Sequence, residues 1–205
     1  MAEHEQGSAA LMQRRELDLL TAQDGIEVRP ALFGELPDLV ALGRREVAGI
    51  GATDDVVLRV FDRNPQSIFG FWQDGRIVGG VAFLYLTEEG LEHLLLDKLN
   101  FANPDLRLLA RQDEEPAAIY FWALAAKGHC SAGLGGVNAW TRAWPYAQAD
   151  YYAQPSSSDG ERFLARYGFE RTPSFQRDLW VYRRLLVSPS PGLQPIVNPS
   201  MQHAA

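Results

Sequence analysis

Ala117-Ala-Ile-Tyr-Phe-Trp-Ala-Leu-Ala125 runs almost directly into Lys127-Gly-His-Cys-Ser-Ala-Gly-Leu-Gly-Gly136, and the reading of this stretch decides the fold. The first part is nearly all apolar, the pattern of a strand buried on both faces, and such strands belong to sheets covered by helices on each side. The second part is a glycine-rich connection that hands over to a helix-compatible segment, Val137 to Trp144, which ends at Pro145. Where a buried strand opens through Gly133-Leu134-Gly135-Gly136 into a helix, backbone N–H groups converge near the positive end of the helix dipole, which suits a phosphate. Glycine serves there because a Cβ would hold an anion's oxygens away from the amides.

Upstream, Ile26 to Pro30 alternates apolar and polar residues and predicts a first strand. Glu35 to Val47, with Pro37 in its first turn, and a segment capped by Thr53-Asp54-Asp55 that carries Val56, Val57, Val60 and Phe61 predict two amphipathic helices. Ser67 to Trp72 and Arg76 to Leu86 flank Gln73-Asp74-Gly75, residues that tolerate positive φ, and predict a hairpin. A leucine-rich insertion over 87–116 follows, read as a helix from Glu88 to Asn100 and a short second helix through Leu106, Leu108 and Leu109. Downstream, Ala149 to Ala153 predicts a strand, Asp159 to Tyr167 a helix ending at Gly168, and Leu179 to Leu186 a last strand. The order gives a mixed α/β (α+β) domain over 26–187, between an N-terminal arm over 1–25 and a proline-rich, disordered tail over 188–205.

Composition narrows the function. The 205 residues are 46% hydrophobic, 22% charged and 11% aromatic, which describes a globular domain. Nineteen basic against 26 acidic residues leave a formal charge of -7, which disfavours nucleic acid as a partner. The single cysteine fits a reducing compartment, so a cytoplasmic location is expected, and neither a signal peptide nor a membrane-spanning run is evident. The four histidines, His4, His93, His129 and His203, lack the spacing of a metal site, and no metal is expected. Arg44-Arg45 and Arg183-Arg184 read as solvated surface pairs.

Three features together resemble the GCN5-related N-acetyltransferase (GNAT) superfamily: the hairpin Asp74-Gly-Arg-Ile-Val-Gly79, the segment Cys130-Ser-Ala-Gly-Leu-Gly135, and Gly160-Glu-Arg-Phe-Leu-Ala-Arg-Tyr-Gly-Phe169. The family's acyl-CoA loop reads Gln/Arg-x-x-Gly-x-Gly/Ala; both glycines match here, while Cys130 replaces the first polar residue. The resemblance implies a mixed central sheet flanked by helices, here with a helical insertion between strands 3 and 4. It implies acetyl-CoA or another acyl-CoA as co-substrate, its pyrophosphate on the amides of Ser131, Ala132, Gly133, Leu134, Gly135 and Gly136, beside Cys130, and its pantetheine arm along Leu124 and Ala125. The activity implied is transfer of an acyl group, acetyl being the family's usual one, to an amine of a small molecule or protein by direct attack, with a backbone N–H near Leu124 stabilising the oxyanion.

Two departures matter. Leu164 stands where many members carry a tyrosine that protonates the leaving thiolate, and the strand 117–126 has no carboxylate. The candidate acids and bases are therefore His129, Asp150, Tyr120, Tyr151 and Tyr152, or a water chain. Two other readings stay open: a catalytically silent acyl-CoA-binding or interaction module of the same fold, and a hydrolase using Cys130 as nucleophile. The insertion over 87–116 has three candidate tasks beyond capping a sheet edge: a lid over the acceptor, a wall for a long acyl chain, or a contact in a homodimer.

Overall fold

The computed structural model describes residues 25–47, 49, 51–126 and 128–184, the side chains of His129 and Cys130 excepted. The arm expected over 1–25 lies outside the described residues but for Gly25, as does the tail expected over 188–205. Seven strands form one sheet in the order β1-β2-β3-β4-β5-β7-β6. They are β1 (Glu27–Pro30), β2 (Ile68–Gln73), β3 (Arg76–Leu86), β4 (Ala118–Ala125), β5 (Asp150–Ala153), β6 (Glu170–Arg171) and β7 (Trp180–Tyr182). Every neighbouring pair is antiparallel except β4 and β5, which run parallel. The β2–β3 hairpin turns at Asp74 and Gly75 with φ of 50° and 71°, the pair of positive values that a two-residue turn matching the strand twist demands.

Among the described residues five α-helices cover the sheet: α1 (Leu36–Glu46), α2 (Asp54–Arg63), α3 (Glu88–Leu95), α4 (Gly133–Thr141) and α5 (Ser158–Arg166). On one face, Leu36, Leu39, Val56, Val57 and Phe61 of α1 and α2 pack on Ile68 and Ala82. Leu94, Leu99, Leu108 and Leu109 of the insertion extend that layer over Leu84, Leu86, Ala118 and Tyr120. On the other face, Val137 of α4 and Leu164 of α5 pack on Val28, Phe69, Phe71, Phe83 and Tyr151. Phe71 and Phe83 are wholly excluded from solvent, a contribution of about 1.5–3 kcal/mol each.

The glycine-rich stretch differs from the open loop expected. Gly128–Ala132 winds into a 3-10 helix that continues directly into α4, whose N-cap residue Ala132 has helical dihedrals (φ -59°, ψ -29°). The helix therefore starts at Gly133, ahead of the expected Val137, and ends at Thr141. Close packing is the reason: a Cβ on Gly133 would fall 2.8 Å from the Phe71 ring, and one on Gly136 would fall 3.0 Å from Val28 Cβ. These two glycines let α4 lie against β1 and β2. At the sheet's edge, the Trp72 ring lies across Gly70, so that a Cβ there would sit 2.0 Å from Cη2. Arg29 stacks 3.9 Å above the same ring and grips Glu35 through two N–H donors at 2.9 and 2.7 Å.

The insertion is shorter in helix than its leucines suggest. α3 stops at Leu95, Asp97 turns the chain at φ 58°, and the second segment is only a 3-10 turn, Leu106–Leu108. Its return is fastened to β3 beyond the end of β2: Leu109 bridges Leu86, and the Ala110 N–H donates to the Tyr85 carbonyl at 2.8 Å. Arg63 donates to the Leu109 carbonyl from Nε (2.9 Å) and Nη2 (2.7 Å). Arg184 also departs from expectation. Its Nη1 donates to the carbonyls of Thr141 (2.6 Å) and Tyr146 (2.8 Å), its Nη2 donates to the Tyr151 hydroxyl, and its guanidinium lies 4.3 Å over the Tyr151 ring. Cations at a helix C-terminus meet its free carbonyls, so Arg184 ties the end of α4 to the last strand.

Candidate functional site

β4 and β5 pair over four residues, from Ala118↔Asp150 to Phe121↔Ala153, and then separate. Two local features drive them apart. In β4, Ala123 pairs with Ala82 and Phe121 with Phe83, so Trp122 is an extra residue, a bulge that bends the strand. After Ala153 the chain runs into Gln154 and Pro155, which has no N–H to extend a ladder, and Ser157 then caps α5 by accepting the Gly160 N–H at 3.1 Å.

A cleft of about 860 Å³ occupies the gap. Phe121, Leu124, Phe163 and Leu164 line it from the α4–α5 face, while Leu39, Val57, Phe101 and Tyr120 line it from the α1–α2 face, so the opening passes through the sheet. Among the described lining residues the titratable groups are Glu46, Tyr120 and Asp159, and no Lys or Arg is present.

Of the expected site residues, the structure brings Tyr120, Leu124 and Ala125 to this cleft. Burial pushes the Tyr120 phenol well above its ordinary pKa, so it stays protonated at neutral pH, and its ring stacks on Phe101 at 4.7 Å. Leu164 lines the cleft from α5, an alkyl group where the family pattern has a phenol. Asp150 sits at the other end of β5, where its Oδ1 accepts the Arg184 N–H at 2.8 Å and its Oδ2 is 3.6 Å from Arg183. Tyr152 packs in the core beside Tyr120 in register, its pKa raised by burial, and is not among the lining residues. Tyr151 is held by Thr141 and Arg184 on the opposite face. His129 and Cys130 lie in the 3-10 turn with side chains outside the described set, so the thiol-nucleophile reading falls there.

Ser131 and Ala132 close that 3-10 turn, the Ser131 hydroxyl donating to the Gly128 carbonyl at 3.0 Å. In a helix the N–H groups without an internal partner are those of the first turn. Here that turn is Gly128, His129 and Cys130, one turn ahead of Gly133 to Gly136.

Two contributions go beyond the expected site residues, one of them from the insertion that the sequence offered as a lid or wall. Leu99, Asn100, Phe101 and Ala102 of the insertion form one wall of the cleft, held by the Trp122 Nε1–H donating to the Phe101 carbonyl at 2.9 Å. Gln154, at the mouth, donates to the Arg177 carbonyl at 2.8 Å and accepts from Gln176 at 3.2 Å, which docks the segment before β7 beside the cleft. Phe101 was readable as an apolar residue ending a leucine-rich run; Gln154 carries no local signal.

A mixed sheet whose parallel central pair parts around a cleft, with a helix starting at the end of the buried strand, is the GNAT fold, and the chain has it. The loading GNATL domain of CurA from Lyngbya majuscula is similar to this chain with a TM-score of 0.56 and 14% identity, over 77% of this chain and 97% of that one. Ard1 from Thermoplasma volcanium is similar with a TM-score of 0.51 and 11% identity, over 77% and 95% of the two chains. The sequence matches no protein-family model, and comparison with curated proteins gives no match. No helix among the described residues is long and apolar enough to cross a membrane.

Proposed function

We propose that the protein is an acyl-CoA-dependent N-acyltransferase. The observation that carries this reading is the through-sheet cleft between β4 and β5, open from Phe121↔Ala153 onward and lined by Leu124 and Ala125. Strand edges left unpaired there offer backbone donors and acceptors to an extended amide chain such as pantetheine. The coenzyme's diphosphate then meets the unpartnered amides at the start of the Gly128–Ala132 3-10 turn that leads into α4, with Ser131 to Gly136 behind them.

In the reaction, the lone pair of a neutral amine attacks the thioester carbonyl and forms a C–N bond. The carbonyl oxygen takes up negative charge and is met by a backbone N–H near Leu124. Collapse breaks the C–S bond, the sulfur leaves with the electron pair, and the ammonium proton passes to solvent. A thiol's ordinary pKa of about 8.5 makes thiolate a tolerable leaving group near neutral pH, so a strong acid is not required. Tyr120, kept protonated by burial, donates a hydrogen bond to the departing sulfur and is a positioning donor, not a base. The absence of a carboxylate from the described β4 side of the cleft suits an amine that arrives already neutral.

The test is release of free thiol from acyl-CoA with a panel of amines. Turnover that falls about 10–100-fold in Tyr120→Phe, with KM for the thioester changed little, is the expected result. CoA binding without turnover on any amine would instead favour a silent binding module, a reading that the alkyl side chain at Leu164 motivates.

A further inference from the structure

On the α1–α2 side of the sheet, beside the bulged Trp122 whose indole packs toward α1, α2 and the insertion, the cleft floor is made of small residues. Gly80, Ala82, Ala123 and Ala125, paired as Gly80↔Ala125 and Ala82↔Ala123, present nothing longer than a methyl group. Further along the same face of the same strands, Leu84, Leu86 and Tyr120 fill the space against α2 and the insertion. Leu39 rests on Gly80, its Cδ2 3.2 Å from where a Cβ would stand, and closes that end of the patch; Val57, Leu99, Phe101 and the Trp122 indole line the cleft beyond it. The described charged lining residues are Glu46, at the end of α1, and Asp159, in the first turn of α5 on the other face.

A thioester threaded between β4 and β5 from the α4 side directs its acyl carbons onto this floor. The 860 Å³ cleft also receives the pantetheine arm and the amine, and its part on the α1–α2 face, walled by α1, α2 and the insertion, extends beyond what a two-carbon acetyl group would reach. The apolar walls reward each methylene removed from water, and among the described lining residues no Lys or Arg stands ready to hold an acyl carboxylate.

We propose that the cleft seats an aliphatic acyl chain of medium length, longer than acetyl, lying on Ala82 and Ala123 against Val57, Phe101 and Trp122. The insertion serves as the distal wall of that chain's site. This inference rests on the acyl-CoA reading of the cleft.

The experiment is calorimetric titration of the full chain with free CoA and with acetyl-, butyryl-, hexanoyl- and octanoyl-CoA. Affinity rises with chain length by up to about fourfold per buried methylene, the equivalent of ~0.8 kcal/mol, until the site is full. Equal affinity from acetyl to octanoyl overturns the inference and leaves the acyl-CoA reading standing. No binding of CoA or any thioester removes both. Ala82→Leu fills the floor and brings the hexanoyl preference to within about twofold of acetyl, the chain's extra methylenes having lost their contacts. An undiminished hexanoyl preference in that variant also overturns the inference. Should Ala82→Leu fail to fold, Ala123→Val makes the same test with a smaller side chain, and the wild-type series decides by itself.

Discussion

The two halves of the central sheet are built to opposite ends. Along β1 and β2 the packing is tight: Trp72 lies across Gly70, Gly133 admits the Phe71 ring, and Gly136 admits Val28, so that no methyl group could be added at any of the three glycines without displacement. Between β4 and β5 the pairing lasts four residues and then gives way to a cleft of about 860 Å³ lined from both faces by small, aliphatic and aromatic side chains. Dense packing on one side holds the bent, bulged strand in place while its far edge stays unpaired. A protein interior resists local deformation because it is packed like a crystal, and an opening survives only beside such a region.

If that contrast is right, the closed half answers to volume and the open half to ligand. Gly133→Val should cost the most, about 3 kcal/mol in urea unfolding, because its branched side chain meets the Phe71 ring with no room to retreat. A loss below about 0.5 kcal/mol would show that α4 stands farther from the sheet than described. Arg184→Met follows, at about 2 kcal/mol in the same measurement, since it strands the carbonyls of Thr141 and Tyr146 while preserving much of the side chain's bulk.

On the open side, Gly128→Val should lower CoA affinity about tenfold, because a β-branched residue is strained at φ 59° and the first-turn amides would be re-aimed. Gly135→Ala, at an exposed position in α4, should leave that affinity within about twofold. The reverse ranking would return the diphosphate to the Gly133 to Gly136 segment.

The smallest effect concerns the Arg29–Glu35 pair at the edge of the closed half. The hydrogen bonds from Arg29 hold the Glu35 carboxyl below its ordinary value of 4.5. A depressed folded-state pKa gives stability that is complete above the ordinary value and disappears as pH falls through the folded value. Thermal melts between about pH 5 and pH 3 should therefore lose under about 1 kcal/mol more in the wild type than in Glu35→Gln. Identical pH slopes would mean that the pair adds nothing in solution.

Much of this was legible in the sequence. Period-2 alternation marked β1, the turn residues Gln73-Asp74-Gly75 marked the hairpin, the apolar run marked β4, and Pro37, Thr53 and Gly168 marked helix ends within a residue or two of those observed. Glycine was the point of ambiguity. The same residue serves a turn that cradles an anion and a helix pressed against a sheet, and only the positions of Phe71 and Val28, far away in the chain, distinguish the two uses. For the same reason Arg184 read as a surface cation: its partners are the carbonyls of Thr141 and Tyr146, which no pattern near residue 184 announces. The candidate acids fared by topology. A parallel pair of strands puts Tyr120 at the cleft and Asp150 at the far end of the neighbouring strand, an arrangement fixed by register and not by composition.

Leu109 and Ala110, seated against Leu86 and Tyr85, have an effect that reaches past the single molecule. β3 outruns β2, and without them its last residues would expose a hydrogen-bonding border rich in large apolar side chains, the kind of surface that recruits a foreign strand. By folding its own backbone onto that border, the insertion occupies the hydrogen-bonding groups that a foreign strand would use.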